Sequence, residues 1–183
     1  PGTAFGYRAS AGKLTGLPNE DLSADMFEFT DTTCALAGLN SYEVSNFSSE
    51  GLESKHNLIY WMGGDYIGIG PGAHGRITFD NQRLATKTML SPAAWLDTVR
   101  LKSSGELTPD ILSKTDHANE LIMMGLRLKG GISQSRIEAM VGKKFNITTE
   151  LTDLGLLDIS DGFIRANNSG RALLNQVIQK LMF

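Results

Sequence analysis

At 183 residues, with 41% hydrophobic and 20% charged side chains, the chain is long enough to bury a core in one large or two small domains. A net charge of −3 with no basic block gives no footing to a phosphate-tracking nucleic-acid surface, and the single cysteine, Cys34, excludes an internal disulfide or a metal site built on thiolates. The single cysteine fits a reducing compartment, and the expectation is cytoplasmic; no apolar run reaches the length of a membrane span or opens the chain as a signal peptide, so neither nucleic acid nor a membrane span is expected to be involved.

Residues 1–18 are punctuated by Pro1-Gly2, Gly6, Gly12, Gly16 and Pro18 and read as loop. The opening Pro1-Gly2-Thr3 lacks an initiator Met and reads as mid-protein sequence, so a fragment is expected. A helix is predicted from an Asn19 cap, with Glu20 and Asp21 complementing its dipole and Gly38 ending it. Leu22, Met26, Phe29, Thr33 and Leu36 recur at three- to four-residue spacing and are expected to face a core. Cys34 lies in the same helix and reads as a core thiol.

Tyr42 to Phe47 alternates as a strand would, yet neither face is cleanly apolar. It is either an edge strand or a strand whose polar face lines a pocket. His56 and Tyr60 stand four apart and share a face if His56–Trp61 is helical. A histidine beside aromatics is ordinarily structural, but a neutral imidazole can also ligate haem iron while flat rings pack on the macrocycle.

Asp65–Gly70 is predicted as a strand running into a glycine turn. Gly68, Gly70 and Ala73 formally fit G-x-G-x-x-A, but Pro71 and the His-Gly-Arg-Ile-Thr-Phe that follows do not open a helix, which rejects a dinucleotide site. Instead, Arg76–Phe79 and Arg83–Thr88 read as a hairpin around Asp80-Asn81. The glycines are left as a place where backbone comes close to a ligand and offers free amides.

Ser91-Pro92 starts a helix carrying Trp95, Leu96 and Val99 toward a core, and Ser103-Ser104-Gly105 ends it. A domain boundary is placed there, dividing 1–105 from 106–183. A helix from Asp116 to Lys129 presents Ala118, Leu121, Ile122, Gly125 and Leu126 on one stripe, closed by Gly130-Gly131. Short helices follow, one capped by Ser133 and one over Ile147–Leu154. Next comes a hairpin of Leu156–Ser160 with Phe163–Ala166 around Asp161-Gly162, and then a last helix burying Leu173, Leu174, Val177, Ile178 and Leu181. This is a winged-helix layout, but NITTELTDL in the recognition position holds two acids and no base, which argues against DNA binding.

In order, YEVSNF, HNLIYW, GDYIGIGPGAHGR and ELIMMGLRLKGGI, with PGTAFG at the start, resemble the C-terminal half of the HemW-type proteins. These belong to the oxygen-independent coproporphyrinogen III oxidase-like radical S-adenosylmethionine (SAM) group. The resemblance implies an α/β plus α fold, the C-terminal part of an incomplete (β/α) radical-SAM barrel followed by a small winged-helix-like domain. It implies a 4Fe-4S cluster and SAM in the full-length parent, with the cluster cysteines N-terminal to this sequence. Cys34 alone cannot ligate a cluster.

Within that group the complete HNxxYW, here His56, Asn57, Tyr60 and Trp61, marks haem-handling members and makes His56 a candidate iron ligand. Gly68, Gly70, Gly72 and Ala73 resemble the barrel wall that approaches SAM. No catalytic residue is assigned. The first functional expectation is a haem chaperone passing haem to an accepting protein. The second is radical decarboxylation of coproporphyrinogen III to protoporphyrinogen IX, and the third a structural fragment without activity. Exposed edges of a half-barrel lead to an expectation of self-association.

Overall fold

The computed structural model describes residues 3–147 and 149–183. Pro1 and Gly2 of the opening PGTAFG, and Thr148 of the helix expected over Ile147–Leu154, lie outside the described residues. The first departure comes at once: Ala4–Ser10 is a helix, α1, because the Thr3 hydroxyl caps it by accepting from the Gly6 amide. The expected loop is therefore confined to the residues after it.

Helix α2, Glu20–Leu36, begins on the Asn19 side chain, which accepts from the Leu22 amide, and stops before Gly38 in the left-handed region (φ 77°). Its apolar stripe does not face a core. Leu22, Met26, Phe29 and Leu36 are exposed, Phe29 to 72% and Leu36 to 85%. Among the described residues no element covers this face, so spacing alone did not make it interior. Cys34 is half-buried rather than a core thiol.

The strand expected over Tyr42–Phe47 does not form. Two-residue strands β1, Asn40–Ser41, and β2, Phe47–Ser48, pair antiparallel, and the residues between them curl back. The cause is Glu43, fully buried, whose carboxylate accepts from the Asn46 side-chain amide and the Ser45 hydroxyl, while the Tyr42 amide donates to Asn46 O. Helix α3, Lys55–Trp61, follows on a Ser54 cap. Asp65–Gly70 is also not a strand; only Tyr66 makes an isolated bridge, to Arg76.

The hairpin is formed by β3, His74–Phe79, and β4, Gln82–Lys87, in the register Phe79 to Gln82. Asp80 and Asn81 turn it with φ of 49° and 58°, the left-handed pair of a tight hairpin. Helix α4, Pro92–Lys102, is capped by Ser91 and has no buried residue; Leu96 is exposed, against the expected core face. Trp95 instead lies where a side chain on Gly105 would have to be. Strand β5, Asp110–Ile111, joins β4 as the third member of this sheet.

Helix α5, Lys114–Gly125, starts on a Ser113 cap, two residues before the expected start, and stops short of Lys129. Its stripe of Ala118, Leu121, Ile122, Gly125 and Leu126 is buried as the spacing requires. Strand β6, Ile132–Ser133, helix α6, Gln134–Val141, and helix α7, Thr149–Asp153, precede the hairpin of β7, Leu157–Ser160, with β8, Phe163–Ala166. The sheet order is β6-β8-β7, so β6 was the strand that alternation did not announce. The last helix is two pieces, α8, Asn168–Ala172, and α9, Leu174–Leu181; Leu173 sits at the break and is 42% exposed, not buried.

Every buried hydrophobic side chain among the described residues lies between Ala118 and Leu181. Before that point the buried side chains are polar: Ser41, Glu43, Arg83 and Thr86. The architecture is mixed α/β, all its described strand pairs are antiparallel, and no barrel closes. No described helix is long and apolar enough to cross a membrane.

Candidate functional site

The Ser54 hydroxyl accepts from the Asn57 amide and starts α3, which sets His56 and Tyr60 one turn apart on one face. His56 is exposed, and its Nε2 lies 3.0 Å from the Tyr60 hydroxyl. The two rings meet edge-on at 4.8 Å, and Tyr60 meets Tyr66 edge-on at 4.4 Å. Asn57 turns away from this face and donates from Nδ2 to the Tyr42 hydroxyl at 3.3 Å, tying α3 to the Glu43 bend. Trp61 is half-buried. Of the four HNxxYW side chains, the geometry thus couples His56 to Tyr60 and gives Asn57 a bracing contact.

Helix α3 ends in Gly63-Gly64, and the turn is held from behind by Arg83 on β4. Its side chain is only 5% exposed, and Nη2 donates to Gly64 O at 2.7 Å and Gly63 O at 3.2 Å. Nη1 donates to Asp65 Oδ1 and, at 3.0 Å, to Thr78 Oγ1. Asp65 also accepts from the Thr78 amide at 2.7 Å. That backbone bond, helped by the Thr78 hydroxyl and Arg83, holds its carboxyl below the usual range against a smaller opposing cost of burial.

A second ion pair joins β3 to α5. Arg76 donates from Nε to both Glu120 oxygens, at 2.9 and 3.1 Å, and from Nη2 to Oε1 at 2.6 Å. This bonding raises the guanidinium above its ordinary value. Beside it His117 is held below the ordinary histidine range, by burial first and by Arg83 next. Tyr60, Tyr66, Arg76, Arg83, His117 and Glu120 share the wall of a cavity of about 160 Å3. Sequence reading missed this cluster because its members are scattered over 61 positions, from Tyr60 to Glu120; the one available sign was an arginine in each strand of the hairpin.

The Gly68–Ala73 segment behaves differently from the expectation of free amides. The Ala73 amide donates to Thr88 Oγ1 at 2.9 Å, the Thr88 hydroxyl donates to Gly70 O at 2.6 Å, and the Gly72 amide donates to Met89 O at 2.8 Å. Gly70 and Gly72 have φ of 99° and 71°, so their glycines serve the turn. The close approach at Gly68 is to the backbone of His74. These four residues form one braced turn leading into β3.

The donor set does not fit an iron–sulfur cluster: there is one cysteine, and no group of three or more His, Cys, Asp or Glu among the described residues could hold a metal ion.

The model of the HemN C-terminal domain matches residues 112–173, the part that contains most of the core. The chain is 33% identical over 99% of its length to the mouse (Mus musculus) protein named radical S-adenosyl methionine domain-containing protein 1, mitochondrial, covering 43% of it. It is 29% identical over 97% of its length to heme chaperone HemW of Bacillus subtilis, covering 47%. It thus spans somewhat under half the length of these relatives. Among solved structures, coproporphyrinogen III oxidase (HemN) from Escherichia coli, described as a radical SAM enzyme, superposes with a TM-score of 0.69 over 95% of this chain and 44% of that one. At 15% identity this match speaks for the fold alone. Taken with the HNxxYW helix and the match to the HemN C-terminal domain, these likenesses make the chain similar along its length to somewhat under half of HemW-named and radical SAM domain-containing relatives.

Proposed function

We propose that the chain is the haem-contacting C-terminal portion of a HemW-like haem chaperone, with His56 as the imidazole that meets the iron. The observation that carries this reading is the exposed His56 whose Nε2 is 3.0 Å from the Tyr60 hydroxyl. It gains weight from whole-length likeness to proteins named heme chaperone HemW.

A histidine that ligates a metal through one ring nitrogen characteristically donates the other N–H to a fixed partner. Tyr60 is that partner here, accepting from Nε2–H, which turns the lone pair of Nδ1 toward the iron. Tyr60 and Trp61 supply flat faces for the macrocycle, and Asn57 fixes α3 through Tyr42.

Haem is cargo on this reading, delivered to a haem-accepting protein. SAM and a 4Fe-4S cluster belong to the longer parent, where Gly68, Gly70, Gly72 and Ala73 stand as one wall of the SAM pocket, contributing shape rather than the amides of Gly72 and Ala73. Residues 1–105 are the barrel portion and 106–183 a winged-helix-like tail.

The test is a haem titration of the protein and of His56→Ala, followed in the Soret band. A weaker, shifted band in the variant is expected, and identical curves would refute the ligand role. The alternative, an oxygen-independent coproporphyrinogen III oxidase, draws support from the HemN C-terminal domain match and the HemN fold likeness; anaerobic turnover of coproporphyrinogen III by the cluster-loaded parent would favour it.

A further inference from the structure

The cavity behind Tyr60 contains a combination of groups that structure alone does not use up. The Arg83 side chain is 95% shielded, since it is 5% exposed, and its Nε is buried without a hydrogen-bond partner. His117 Nε2 is likewise buried and unpaired. Both residues line the same space of about 160 Å3. A buried polar group left unpaired is costly, and more so when it is charged, so two such groups on residues that line one cavity need an account.

The remaining wall is apolar or aromatic, including Tyr60, Tyr66, Leu121 and Met124. Water would satisfy the two nitrogens but gains nothing from that wall. A short alkyl chain ending in two acceptor oxygens suits both parts.

Charge points the same way. Glu120 is engaged by Arg76, and Asp65 by Arg83 and Thr78. A third guanidinium, Arg136, lies close to Gly63 of the cavity wall and donates to Met62 O at 2.6 Å. Three guanidiniums against two carboxylates leave one positive charge in excess.

We propose that the cavity enclosed by α3, the β3–β4 hairpin and α5 is a binding site for a short carboxylate side chain, with Arg83 Nε and His117 Nε2–H as its donors. The carboxylate is either free or one propionate of the haem whose iron meets His56; the latter source rests on the haem reading above. Tyr60 connects the two, with its hydroxyl on His56 and its ring against Tyr66 in the cavity wall.

The experiment is an NMR titration with sodium propionate, against sodium chloride at matched ionic strength, on protein labelled in its three histidines and in Leu and Met methyls. Propionate should move His117 saturably toward the Nε2–H form and shift the Leu121 and Met124 methyls, and chloride should not. In His117→Phe the methyl shifts should need at least about tenfold more propionate, as expected for losing a hydrogen bond to a charged acceptor. Arg83→Met should do the same if it folds, but His117→Phe decides alone. No saturable shift, an equal response to chloride, or unchanged affinity in His117→Phe would overturn the site.

The source is read by comparing haem with its dimethyl ester. Binding roughly ten- to hundredfold weaker for the ester supports the haem propionate. Equal binding of the two overturns that source and leaves a free carboxylate. If propionate binds while haem does not bind at all, the haem reading fails and the carboxylate site stands.

Discussion

Replacing Arg83 by methionine tests whether the polar brace behind α3 is a stabilising element or an incidental contact. The side chain is 5% exposed and donates to Gly63 O, Gly64 O, Asp65 and Thr78. Methionine keeps much of the length and removes every donor. Breaking a buried pair by deleting one partner costs about 3–5 kcal/mol. Here the low end applies, because Asp65 is 48% exposed and retains both Thr78 bonds, so water takes up part of the loss. The expected change is about 3 kcal/mol, from the freed glycine carbonyls and the lost charge-assisted bonds together. Urea unfolding would read it as a lower midpoint with an unchanged slope. A cycle with Asp65→Asn should give a double variant less destabilised than the sum of the two singles. Arg83→Met within about 0.5 kcal/mol of the parent would refute the brace, since that is the range of an ordinary surface change.

Asp65 titrates lower in the folded chain than in the unfolded one, chiefly through the Thr78 amide. Its contribution is therefore fully present above the ordinary aspartate range and is lost as pH falls through the depressed folded value; Asp65→Asn should flatten that acid limb in urea midpoints. His117 is also depressed, by burial. The unfolded chain then binds the extra proton, so stability falls as pH drops from the ordinary histidine range to the lower folded value, and His117→Phe should remove that slope. Gly131→Ala should cost roughly 1–3 kcal/mol, read by thermal unfolding, because φ is 70° and a Cβ would overlap the Ile164 carbonyl. Ile178→Ala should cost about 2–5 kcal/mol in this chain while Phe29→Ser stays within about 0.5 kcal/mol; equal costs would contradict the placement of the core.

The contrast between Ile178 and Phe29 also explains what sequence could and could not tell. Periodicity identifies a face, and both α2 and α5 carry one, but only tertiary context decides whether anything covers it. The α5 stripe is buried because α6, α9 and the β6-β8-β7 sheet pack around it, whereas the α2 stripe has no such neighbours among the described residues. Turn chemistry was dependable because it is local: Asp80-Asn81 and Asp161-Gly162 each take the positive φ that the hairpins require. Alternation at Tyr42–Phe47 misled because Glu43 needed partners once buried and took them from Ser45 and Asn46, bending the chain. In the candidate site, the i, i+4 spacing of His56 and Tyr60 was legible. The Arg76–Glu120 pair was not, since 44 residues separate its members and nothing local relates them.

His56 is the residue on which haem contact by this chain turns. A Soret titration of the protein with haem, repeated on His56→Ala and Tyr60→Phe, separates a ligand from its support. A saturable band is expected, lost or strongly weakened in His56→Ala. In Tyr60→Phe the band should be retained with lower affinity, because the imidazole loses the partner that orients it. A titration indistinguishable among all three proteins would contradict haem contact through His56.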